Sequence, residues 1–109
     1  MIVSDRNVQT ALEYLSIDPH PLALAQKDVT DAENKRKECY ARAFLAAQGS
    51  VDARKAEAEI EGDVVSAKTE ESEAIFELER HKARSRAANM LLEIWRTENA
   101  NARAAERIR

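Results

Sequence analysis

With 109 residues, seventeen Lys and Arg against twenty Asp and Glu, and a formal net charge of −3, the chain has room for one small domain and lacks the overall basic character usual for a dedicated DNA-binding domain. Hydrophobic residues make up 44%, but twenty of them are alanines, which pack helices closely and bury little area each, so a large apolar core is excluded. The lone Cys39 excludes an internal disulfide framework and fits a reducing cytosol.

In chain order, Ser4 caps a short helix over residues 5–16 that places Val8, Leu12 and Leu15 on one face, bordered by Tyr14. Asp18-Pro19-His20-Pro21 then forms a corner, because residues before proline avoid helical geometry. A second helix, with proline in its first turn, is predicted over residues 22–48, with a seam of Leu22, Ala25, Val29, Ala32, Arg36, Cys39, Ala43 and Ala46. Gly49 has the residue type of a helix stop, a turn occupies residues 49–52, and Ser50 or Asp52 within it can cap the next helix.

A single long helix is predicted over residues 53–105, a stretch rich in Ala, Glu, Arg and Leu with no proline and one glycine, Gly62. Its heptad-like seam runs through Ile60, Val64, Ala67, Glu71, Ala74, Leu78, His81, Ser85, Ala88, Leu92 and Trp95, with a polar interruption at His81 and Ser85. Ile75, Met90, Leu91 and Ile94 widen the seam beyond a two-stranded stripe. The expected fold is therefore one all-α domain: an elongated, coiled-coil-like antiparallel hairpin with one long C-terminal helix, a short N-terminal helix and a tendency to self-associate. Counting back from the turn sets Leu22 opposite Leu78 or Glu79 and the short first helix beside residues 84–96, so that Val8, Leu12 and Leu15 meet Ala88, Leu91, Leu92 and Trp95.

Charge is unevenly spread. Residues 57–79 carry nine acids against Lys68, whereas residues 80–109 carry eight basic against three acidic. Two basic groups stand out as candidate phosphate sites. One is at the hairpin tip, where Lys35, Lys37 and Arg42 approach the turn and Arg54 and Lys55 leave it. The other, second in rank, is the C-terminal arm, where Arg96, Arg103 and Arg107 fall at spacings of seven and four. Asp31, Glu33 and Glu38 lie close to the tip cations, so a self-paired, solvated helix surface is the competing reading there. Leu91, Leu92, Ile94 and Trp95 occupy more than one helix face and are the expected oligomer contact.

Nothing in the chain forms a catalytic constellation. There is no glycine-rich phosphate loop and no nucleophile beside a base, and His20, Cys39 and His81 are too scattered for a metal site. The expectation is a protein that is not an enzyme and needs no cofactor or metal. No stretch is long and apolar enough to cross a bilayer, which makes a cytoplasmic protein without membrane contact the reading of the sequence.

The order of features resembles a family, the small helical recombination mediators of T-even phages of the UvsY type. The residues that carry the resemblance are Tyr40-Ala41-Arg42 before Gln48-Gly49-Ser50, and the cluster Met90-Leu91-Leu92-Glu93-Ile94-Trp95 on the returning helix, with a basic end beyond it. The resemblance implies a ring-like oligomer in the cytoplasm of a bacterial host that binds single-stranded DNA and helps a recombinase displace a single-strand-binding protein. In that family a Lys-x-Arg pair before the turn contributes to DNA binding. Arg42 matches the arginine, whereas Tyr40 stands where the lysine would be and the distance from arginine to glycine differs by one.

The leading functional expectation is thus a non-enzymatic, oligomeric accessory of DNA recombination or replication that holds single-stranded DNA and assists recombinase loading. The alternative is a helical scaffold, chaperone or adaptor that acts through protein contacts alone. A secreted hairpin of the WXG type is disfavoured, since Gln48-Gly49-Ser50 replaces its Trp-x-Gly turn.

Overall fold

A computed structural model describes residues 3–108. Among them the chain forms four helices and no strand: α1 (Asp5–Leu15), α2 (Pro21–Ala46), α3 (Val51–Ile60) and α4 (Gly62–Ile108). The starts of α1 and α3 follow from their caps. Ser4 accepts a hydrogen bond from the Asn7 N–H at 3.2 Å, and Ser50 accepts one from Ala53 at 3.2 Å. At the start of α2, His20 plays the same part, its Nδ1 accepting from the Leu22 N–H at 3.0 Å. Gly49 lies just beyond α2 with φ +108°, a conformation that L side chains rarely adopt.

The long helix expected over residues 53–105 is not continuous. Glu61 is extended at φ −64°, ψ 138°, and separates α3 from α4. Its carboxylate accepts from the N–H groups of Asp63 at 2.8 Å and Val64 at 3.2 Å, so it starts a new helix where the old one ends. Gly62, weak in helix propensity, sits at the break. An ion pair from Lys68 to Glu59 spans the break.

Contacts divide the chain into two units: Met1–Leu22 with Arg80–Arg109, and Ala23–Glu79. In the first, Val3, Val8, Ala11 and Leu92 form a buried cluster, with Leu15, Ala88, Leu91 and Trp95 packed against it. Tyr14 bonds near His81 and Ser85 while Val8 clusters with Leu92, so α1 runs antiparallel to this part of α4. The pairing of these two helices matches the sequence expectation, but Ala11 takes the buried place expected of Leu12, which is 47% exposed. Ser85 is buried because the Tyr14 hydroxyl lies 3.3 Å from its Oγ, which accounts for the polar interruption in the seam.

In the second unit the core is made of small side chains: Ala25, Ala47, Ala58, Val64 and Ala67 are buried. Arg36 and Glu71, the polar members of the two facing seams, pair with Nε 3.0 Å from Oε2. Ile60, expected at the head of the seam, is exposed beside the break, and Phe76 points outward at 64% exposure.

Candidate functional site

The five tip cations all lie in the second unit. By sequence that unit carries eight basic and fourteen acidic residues, a formal −6, whereas the unit containing the C-terminal arm carries nine basic and six acidic, a formal +3. A phosphate chain therefore meets opposing fields at the two candidate sites.

At the tip, pairing reflects the same imbalance. Lys35 Nζ lies 2.8 Å from Glu70, Lys37 lies 2.8 Å from Glu33, and Arg42 pairs with Glu38. The hydrogen bond to Glu70 raises the Lys35 pKa above its ordinary value, and the one from Lys37 lowers that of Glu33, so each pair is held in its charged form. Arg54 is half-buried, with its guanidinium carbon 4.6 Å from the centroid of the Phe44 ring and its Nε without a partner. Lys55 is exposed and, unlike the exposed Lys35, Lys37 and Arg42, makes no ion pair among the described residues. The self-pairing of the tip was legible as a competing reading; the long-range partners Glu70 and Glu71 were not, because they need the register between α2 and α4.

The arm differs. Arg96 is 3.5 Å from Glu93 with both side chains well exposed, a contact too open to neutralise much charge. Arg103 donates from Nε to the Asn99 carbonyl at 3.4 Å, which leaves its charge uncompensated. Arg103 and Arg107 flank a shallow surface groove with Ala100 and Ala104 on one face of α4, and neither has a carboxylate partner among the described residues.

Upstream on the same stretch of α4, Arg84 is exposed, and its guanidinium carbon sits over the Tyr14 ring at 4.1 Å from the centroid. No local sequence signal marks this stacking, which depends on α1 bringing Tyr14 to the interruption at Ser85. Of the expected oligomer contact, Leu92 is buried, Leu91 and Trp95 pack against the cluster beneath α1, and Ile94 remains 41% exposed.

No group of three or more His, Cys, Asp or Glu suited to a metal ion occurs among the described residues, and no described helix is long and apolar enough to cross a membrane. Comparison with family models, with curated proteins and with solved structures gives no match to the chain.

Proposed function

We propose that the protein is a non-enzymatic, self-associating accessory of DNA recombination or replication that holds single-stranded DNA on the basic side of the unit formed by α1 and the C-terminal part of α4. The observation that carries this reading is the difference in pairing: the tip cations Lys35, Lys37 and Arg42 are bound to carboxylates, whereas Arg103 and Arg107 offer exposed, uncompensated charge. The binding surface is accordingly Arg96, Arg103 and Arg107, and the tip residues, with Arg54 and Lys55, take second place. Repetition around an oligomer multiplies a weak site of this kind into a strong one. Assistance to a recombinase against a single-strand-binding protein, in a bacterial cytoplasm, is the role that the mediator-like sequence pattern supports.

The test is fluorescence anisotropy of a labelled single-stranded oligonucleotide, at low and moderate salt, beside duplex of equal length. Tight, salt-sensitive preference for the single strand is expected, because phosphate neutralisation releases counterions. Absence of binding at low salt removes nucleic acid from the function.

A second reading, a helical adaptor acting through protein contacts, is favoured by the acidic unit, where Leu45, Ile60 and Phe76 stand exposed at 74%, 78% and 64% amid a formal charge of −6.

A further inference from the structure

Two arginines among the described residues lie over aromatic rings, and they differ in what they leave open. Arg54 is half-buried over Phe44 in the acidic unit, whereas Arg84 is exposed over Tyr14 in the basic one. Tyr14 is itself fixed. Its hydroxyl donates to the His81 carbonyl at 3.4 Å and meets Ser85 Oγ at 3.3 Å, and the His20 ring abuts it edge-on at 4.9 Å. The Arg84 guanidinium is thereby seated on a buried, hydrogen-bonded ring, with no carboxylate among the described residues to neutralise it.

Beside it runs a groove between α1 and α4 with a volume of about 210 Å³. Ala11, Ala87, Ala88 and Leu91 line it with apolar surface, and the polar residues Asn7 and Thr10 line it as well. The groove is smaller than the ~300–1,000 Å³ typical of pockets for drug-sized ligands, and its walls carry no acid–base pair. A bare anion gains little from alanine walls. A flat, weakly polar ring carried on an anionic chain uses every part: apolar walls for its body, a guanidinium for its face, and a carboxamide that can both donate and accept for its edge.

We infer that this groove is a base-stacking slot in which an unpaired nucleobase of single-stranded DNA rests against the outer side of the Arg84 guanidinium with its edge on Asn7. The inference rests on the single-strand reading above and adds a contact to bases where that reading uses phosphates. Duplex DNA, whose bases are already stacked, cannot fill the slot, and every base offers a π-face, so occupancy is sequence-tolerant.

The deciding experiment compares a thymidine oligonucleotide with one of equal length built from abasic tetrahydrofuran residues, which keeps the phosphates and removes the bases. The intact strand is expected to bind about ten-fold tighter, the scale of one stacked base. Arg84→Lys retains the charge but not the plane; it should bring the intact strand to within roughly two-fold of the abasic one while leaving the salt dependence unchanged. Equal binding of both strands by the unaltered protein, or a preference that survives Arg84→Lys, overturns the slot and leaves phosphate binding standing. No binding of either strand at low salt removes both. Photocrosslinking from a 4-thiothymine strand needs no variant: adducts within residues 7–14 or 84–91 are expected, and adducts confined elsewhere overturn the slot.

Discussion

The Arg36 guanidinium on α2 reaches Glu71 on α4 with Nε 3.0 Å from Oε2, and both side chains are largely withdrawn from solvent at 31% and 21% exposure. A pair so placed fixes register more than it adds stability, because desolvation offsets much of the attraction while removal of one partner strands the other. Arg36→Ala or Glu71→Ala alone should cost about 1–2 kcal/mol. The pair replaced together by leucine should lie close to the parent in stability. Urea denaturation of the parent, the two single variants and the double variant measures both.

Tyr14 is 4% exposed and owes its burial to a partner for its hydroxyl. Tyr14→Phe leaves Ser85 without that partner and should lower stability by about 1 kcal/mol, with Ser85→Ala similar and the double change less than the sum. Thermal unfolding monitored by helix ellipticity reads the effect. Additive losses would show that the two groups do not act as a pair.

At the break between α3 and α4, two substitutions should move stability in opposite directions. Glu61→Ala removes the carboxylate that accepts from Asp63 and Val64 and should cost about 1 kcal/mol, as loss of a helix cap does. Gly62→Ala meets no atom within 4 Å and should stabilise by about 0.4–1 kcal/mol by restricting the unfolded chain. Gly49→Ala, at φ +108° with Ala53 Cβ at 3.4 Å, should instead destabilise. Midpoints of chemical denaturation for the three variants give the order directly.

Arg103→Gln with Arg107→Gln should weaken single-strand binding and lower the slope of log affinity against log salt by about 1–2, one phosphate contact being lost with each charge. The triple change of Lys35, Lys37 and Arg42 to glutamine should have a smaller effect, since those charges are already engaged. A larger loss from the tip than from the arm would return the binding site to the turn.

Leu92→Ala should destabilise the fold by about 2–3 kcal/mol, because it empties the cluster beneath α1. Ile94→Ala and Met90→Ala, at positions 41% and 64% exposed, should leave unfolding nearly unchanged and lower self-association instead. Analytical ultracentrifugation beside chemical denaturation separates the two effects. Concentration-independent monomer in the unaltered protein would end the case for a homo-oligomer.

Much of the architecture was readable from periodicity and caps. Ser4, Ser50 and Gly49 mark element ends through local chemistry, and the seam positions from Val64 to Leu92 owe their withdrawal from solvent to a spacing that any helix imposes. What escaped depends on partners distant in sequence or on a side chain competing with its own helix. Glu61 has ordinary helix propensity and ends α3 because its carboxylate can serve the N–H groups of Asp63 and Val64, an outcome that propensity alone does not rank. Phe76 stands beside the apolar seam, between Ala74 and Leu78, yet the core here is built mostly from alanines and has little depth for a ring. Of the site, the arginine spacing in the arm was legible, and the neutralisation of Lys35 by Glu70 was not.

The formal charge of −3 is the remainder of +3 on one unit and −6 on the other. In preparative terms the molecule is amphoteric. Near neutral pH it should adhere to cation- and anion-exchange media alike, and its solubility should rise on the first addition of salt, as the basic unit of one copy ceases to attract the acidic unit of the next.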